Sequence, residues 1–196
     1  MSKKAIISVV CIISLIIGIL ISIKCFGFST TVDNDLKNYS NNKSKVDITN
    51  QVMPEIDELP LYESVHYEYR HKRMLMFSAD TILLAAKYDE ETYEIEKEKL
   101  NNLNYAKEKV ETIIDNEDLY TLPEYEFSIN SFNFKVISSD VEGIEYPKRI
   151  GFIANSDEKT SIVYLFFNDA DLDFISDKST EGEMKLFIKQ YFEFDW

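Results

Sequence analysis

Nineteen consecutive residues, Ala5 to Ile23, carry no charge, and no other feature constrains the chain as strongly. Ile, Val and Leu dominate the run, Ser8, Ser14 and Ser22 are its strongly polar members, and Lys3, Lys4 and Lys24 bracket it. As a helix it would extend about 28 Å at ~1.5 Å per residue, close to the ~30 Å hydrocarbon core of a bilayer. Residues 1–25 are therefore expected to form a membrane anchor spanning Ala5 to Ile23. A cleavable signal peptide is the alternative: it has basic residues first, an apolar stretch of ~7–15 residues, and small residues before the cut, a role open to Gly27 and Ser29. The run is longer than that range and ends at a lysine, which favours the uncleaved anchor. Cys25 follows Ile23-Lys24 instead of small uncharged residues, so it does not fit a lipid-attachment site.

Lys3, Lys4 and the terminal amine outweigh Lys24 and Lys37, a slight bias that puts the N-terminus in the cytoplasm and the rest outside. The expected location is the cell membrane, single-pass, with the C-terminal domain outside the cytoplasm; secretion after signal cleavage is the alternative. No cysteine follows Cys25, so the outer part needs no disulfide and has neither a Cys nucleophile nor a Cys-rich zinc site. The chain has 21 Lys and Arg against 35 Asp and Glu. Taking away Lys3, Lys4 and Lys24 leaves 18 against 35 in residues 26–196, a formal −17. That balance argues against gripping nucleic acid or anionic lipid through net charge.

Residues 26–60 read as a polar flexible linker, rich in Asn, Ser, Asp, Lys and Thr and closed by Pro54 and Pro60. Residues 61–196 read as one α+β domain. The apolar stretch around Thr81–Ala86 is read as a strand because a turn-like acidic sequence follows Tyr88. Asp89 then fits a helix N-cap with Glu90 and Glu91 in the first turn. Leu100, Leu103, Ala106, Val110, Ile113 and Ile114 recur every three or four residues, predicting one long helix. Phe127 and Ile129 alternate in one phase and Phe132, Phe134 and Val136 in the other, so a turn is expected at Asn130-Ser131. Arg149–Ala154 and Thr160–Phe167 form a second hairpin pattern, and the latter, apolar on both faces, reads as an interior strand. Thr180-Glu181-Gly182-Glu183 resembles a capping box before Met184, Phe187, Ile188 and Tyr191, which predicts a C-terminal helix. The expected architecture is an N-terminal transmembrane helix, a linker, and a mainly antiparallel sheet of four or five strands with one long helix and a C-terminal helix.

Few residue patterns carry chemistry. His66 and His71, the only histidines, are five apart, a spacing that shares neither a helix face nor a strand face. Asp169, Asp171 and Asp173 alternate as Ca²⁺ loops do, but Phe174 and Thr180 stand where an EF-hand has Gly and Glu, which leaves a weak Ca²⁺ site of another kind as the candidate and no other cofactor. The pairs Glu90-Glu91 and Glu117-Asp118 invite a glycosidase reading that so many acids would produce by chance. Nucleophile elbows, Gly-rich phosphate loops and His-Glu-x-x-His are absent. Tyr62, Tyr67 and Tyr69 are the candidate partner-binding patch.

As a category, the chain resembles small, N-terminally anchored extracytoplasmic bacterial proteins. The leading expectation is a membrane-anchored domain that binds a protein or cell-envelope component without catalysis. The alternatives are an acidic-residue-dependent hydrolase or Ca²⁺-binding domain, and an acidic inhibitor or immunity-type protein. The expected partners are the membrane, through the N-terminal helix, and an unknown protein or envelope component, with no nucleic acid.

Overall fold

The run Ser161–Asn168 is apolar at every interior position, so it must be covered on both faces. The computed structural model describes residues 12–18, 28–74, 77–107, 111–114, 118–121, 124–146, 148–169, 183–192 and 194–196, and places this run inside a sheet. The strands are β1 (Phe28–Asp33), β2 (Ser64–Met74), β3 (Phe77–Lys87), β4 (Glu111–Ile114), β5 (Asp118–Thr121), β6 (Glu126–Ile129), β7 (Phe132–Val136), β8 (Arg149–Ser156) and β9 (Ser161–Asn168). The α-helices are α1 (Tyr39–Lys45), α2 (Glu90–Leu100) and α3 (Glu183–Tyr191). Seven strands form one antiparallel sheet in the order β1-β2-β3-β9-β8-β7-β6, and β4 and β5 pair separately. The fold is α+β with a seven-stranded sheet and few helices, more strands than the four or five expected.

The two hairpins form as expected, with Asn130 in the left-handed region (φ 50°) between β6 and β7. Asp89 caps α2, its side chain accepting from the Thr92 amide. The long helix, however, ends at Leu100. Asn101 and Asn102 are poor helix formers, and Tyr105 instead bridges to Ile137 as extended chain. Ile113 and Ile114 belong to β4, and Val110 lies outside the described residues. An apolar rhythm from a helix, a turn and a strand in succession looks like one helix. Residues 12–18, inside the expected span Ala5 to Ile23, are helical and exposed. Among the described residues no helix is long and apolar enough to cross a membrane. Ala5 and Ile23 lie outside them, as does the capping-box segment before Glu183.

Cross-strand register sorts the side chains into two faces. On one face Leu83, Leu165, Phe152 and Val136 stand in a row, as do Ala85, Val163, Ala154, Phe134 and Phe127. The C-terminal segment covers them: Phe187, Tyr191 and Phe192 ring Phe167, while Phe194 and Trp196 lie edge-on to Phe132. On the other face Tyr67, Leu84, Tyr164 and Ile153 form the row. Over it lie Tyr39, edge-on to Tyr67 at 5.4 Å, and Tyr93 of α2, which accepts a hydrogen bond from Asn155.

The polar stretch 26–60 is not a tether: from Phe28 onward it supplies an edge strand and part of a covering layer. Tyr39, Val46, Val52 and Met53 are buried, and the Tyr39 hydroxyl donates to the Pro54 carbonyl at 2.6 Å. Gly151 in β8 has no side chain because Val52 occupies the space; a Cβ there would lie 2.9 Å from Val52 Cγ1. Lys43, 3% exposed in its side chain, pairs with Glu55 at 2.8 Å and donates to Asn50. The composition looks disordered because these polar groups satisfy one another and the docking is carried by four buried apolar side chains with Leu36, Ile48, Ile56 and Leu59 packed partly buried beside them. The Lys43 hydrogen bond holds the Glu55 carboxyl below its ordinary range, so its stabilisation is whole above the unfolded pKa and is lost as pH falls. Glu55→Ala should therefore lower urea stability at neutral pH by about 2 kcal/mol, since it leaves the buried Lys43 ammonium with Asn50 but without its carboxylate hydrogen bond. The difference from wild type should narrow as pH falls below the ordinary carboxylate range and wild type itself protonates. A flexible linker would give no difference at any pH.

Candidate functional site

Strand β2 carries Arg70-His71-Lys72-Arg73, four consecutive basic residues in a chain of net charge −14. In a strand successive side chains alternate, so Arg70 and Lys72 share one face and His71 and Arg73 the other. On the first face the core ends where α3 stops. The row Ile150, Phe167, Thr81 passes to Arg70 and Val32, and the next row runs Ala79, Lys72, Thr30. Tyr191 of α3 forms a wall, and these elements enclose a cleft of about 240 Å³ lined by Thr30, Arg70, Lys72, Ala79, Thr81 and Tyr191. Pockets for drug-sized ligands run ~300–1,000 Å³, so this cleft suits a group the size of a phosphate, a carboxylate or one sugar.

Polarity in the cleft is uneven. Arg70 is half-buried and its Nε donates to buried Glu68, leaving the remaining guanidinium donors. Lys72 Nζ sits over the Tyr191 ring, 5.9 Å from its centroid. Ala79, opposite Lys72, leaves room beside the ammonium. Thr81 is 1% exposed, and its buried Oγ1 has no hydrogen-bond partner among the described residues. An unmade hydrogen bond on a buried hydroxyl costs about 1–3 kcal/mol. Glu68 offsets the charge of Arg70, so Lys72 supplies the net positive charge of the cleft, Arg70 its remaining N–H donors and Thr81 a hydroxyl, a set equipped to accept a small anion.

The other face of the same strand holds a second cluster. The Asp80 carboxylate accepts from the Tyr69 hydroxyl at 2.5 Å and lies 2.8 Å from His71 Nδ1. A carboxylate only accepts, so Nδ1 carries the hydrogen. Burial first, and then Asp80, pushes the Tyr69 hydroxyl pKa up. A third group lies where α2 meets β8: Asp157 accepts from Lys97 at 2.6 Å and from Tyr93 at 2.5 Å, and the Lys97 hydrogen bond holds its carboxyl below the ordinary range. Lys97 and Asp157 border a cleft that also includes Tyr105 and Lys135, whose ammonium lies over the Tyr105 ring.

The candidate residues named above fall elsewhere. Tyr67 and Tyr69 are buried beneath α1 and Tyr62 is half-buried, so the three do not make an exposed patch. Tyr67 is held by Asn42, whose amide donates to its hydroxyl at 2.8 Å. His66 and His71 lie on opposite faces, as their spacing requires. Asp169 follows the end of β9 with φ 50°, while Asp171 and Asp173 lie outside the described residues. Among the described residues no three His, Cys, Asp or Glu side chains gather as a metal site. Arg70, Lys72 and Thr81 carry a signal that sequence inspection can use: a basic run in an acidic chain, split by strand alternation. Comparison of the chain with family models, with curated proteins and with solved structures finds no match.

Proposed function

We propose that the chain is a single-pass membrane-anchored domain, held outside the cytoplasm, that binds a protein or cell-envelope component through an anionic group without catalysing its conversion. The anchor rests on the uncharged run Ala5 to Ile23 and the orientation on its flanking lysines. The observation that carries the binding reading is the cleft in which Arg70, Lys72 and the Thr81 hydroxyl, without a partner among the described residues, meet.

The acidity of the chain does not oppose this. From Ala79 to Lys87, β3 extends about 27 Å at ~3.4 Å per residue, and the exposed acids Asp89, Glu90 and Glu91 lie beyond it. At physiological salt the Debye length is ~8 Å, so those charges are screened from a ligand in direct contact with Arg70 and Lys72.

Thr81→Val separates ligand binding from folding. It removes the orphan hydroxyl and keeps the shape, so the variant should melt about 2–4 °C higher, the equivalent of about 1 kcal/mol in a chain of this size. Its affinity for an anionic envelope polymer, measured with soluble poly(glycerol phosphate) against a neutral glucan, should fall roughly tenfold, the weight of one hydrogen bond to a charged group. Equal affinity in wild type, Thr81→Val and Lys72→Gln would remove the cleft from the proposal. Location is tested separately in cells with cysteines introduced at the exposed positions Glu142 and Glu158 of a chain whose Cys11 and Cys25 are replaced by serine. Labelling by a membrane-impermeant thiol reagent in intact cells is expected; labelling only after lysis contradicts the outside placement.

A further inference from the structure

The register of β1 links the sheet to the expected membrane span. Phe28 pairs with Met74, and Met74 with Phe77, so the start of β1 and the β2–β3 turn lie at the same end of the sheet. Four residues lie between Ile23 and Phe28, and five steps of at most ~3.6 Å each put that end within about 18 Å of the apolar run. With residues 28–60 folded into the domain, nothing is left to serve as a spacer.

The chemistry of this corner differs from the rest of the surface. Phe77 is 70% exposed, and Arg73 beside it is exposed on the face opposite the cleft. Lys72 and Arg73 are two of the four basic residues that end β2. Leu75-Met76, which join the strands, lie outside the described residues. At the opposite end of the strands stand Glu63, Asp89, Glu90, Glu91, Asp157 and Glu158, all exposed. Glu145 and Asp169 lie near β8 and β9, so the cationic character belongs to the β1–β2–β3 corner.

We infer that this corner docks on the anionic headgroup surface of the membrane that holds residues 5–23, with Phe77 entering the interfacial layer and Arg73 meeting lipid phosphates. The inference rests on the anchored reading above. Charge and chain length favour lipid as the occupant: an exposed aromatic side chain beside cations suits an interface that is apolar within and anionic outside. Docking also fixes the tilt of the sheet, with its acidic end farthest from the lipid charge.

The full chain with Phe77→Trp, reconstituted into phosphatidylglycerol vesicles carrying lipid brominated high on the acyl chain, tests this. After subtraction of wild-type emission from Trp196, the signal from position 77 should be blue-shifted and quenched. Glu158→Trp at the far end should be neither. Adding Arg73→Glu or high salt should return the position 77 signal towards that of water, since both weaken attraction to the headgroups. Both positions lie on the surface, so the substitutions leave the core intact. If the chain floats with the vesicles but position 77 is no more quenched than position 158, whether it sits in water or under a protein, the docking falls and the anchor stands. Quenching unchanged by Arg73→Glu also overturns it. A chain that does not float with the vesicles removes both readings.

Discussion

Eight antiparallel residue pairs join Asp80–Lys87 of β3 to Asn168–Ser161 of β9, and the rest of the domain hangs from them. After β3 the chain leaves through α2, crosses to the far edge and returns through β6, β7 and β8 before β9 can pair. Closing a loop of that length costs only slowly more than closing a short one, but no contact repays the cost until β9 arrives. Ile82, Leu83 and Leu84 meet Phe166, Leu165 and Tyr164 across the ladder, all buried. Each fully buried side chain of this kind contributes about 1.5–3 kcal/mol, far more than the surface ion pairs of α2 at about 0.3–0.5 kcal/mol each. The central ladder therefore decides whether the outer strands have a surface to pair on.

The same register creates the site. Moving outward from Phe167, its row changes from ring to hydroxyl at Thr81 and to guanidinium at Arg70 within two strand spacings. Alternation divides the basic run, giving Arg70 and Lys72 to the cleft and His71 to Asp80. A one-residue slip of β2 against β3 would exchange these assignments and turn Tyr67 and Tyr69 out of the core, which the buried Tyr39–Tyr67 and Tyr69–Asp80 contacts resist.

Much of the sheet was legible in the residues. The interior character of β9, the phase change at Asn130-Ser131 and the Asp89 cap each follow from patterns spanning ten residues or fewer. The layer formed by residues 28–60 was not legible, because its stability comes from pairings such as Lys43 with Glu55 and Asn42 with Tyr67, which separations of 12 and 25 residues hide. The end of α2 was missed because Leu103 and Ala106 keep the helical spacing while packing as irregular chain against the sheet. The tyrosine patch failed for a related reason: Tyr67 and Tyr69 share one strand face, but it is the face that α1 covers.

Folding of residues 28–60 onto the sheet turns an expected tether into part of the domain. Hydrogen exchange of the full chain in membrane-mimetic micelles reads it directly. The account predicts that amides of α1 and the Val52–Met53 segment exchange many times more slowly than unstructured chain, because their opening requires lifting Tyr39 and Val52 off the sheet. Exchange there at the rate of a free polar peptide, with β3 and β9 still protected, would contradict it.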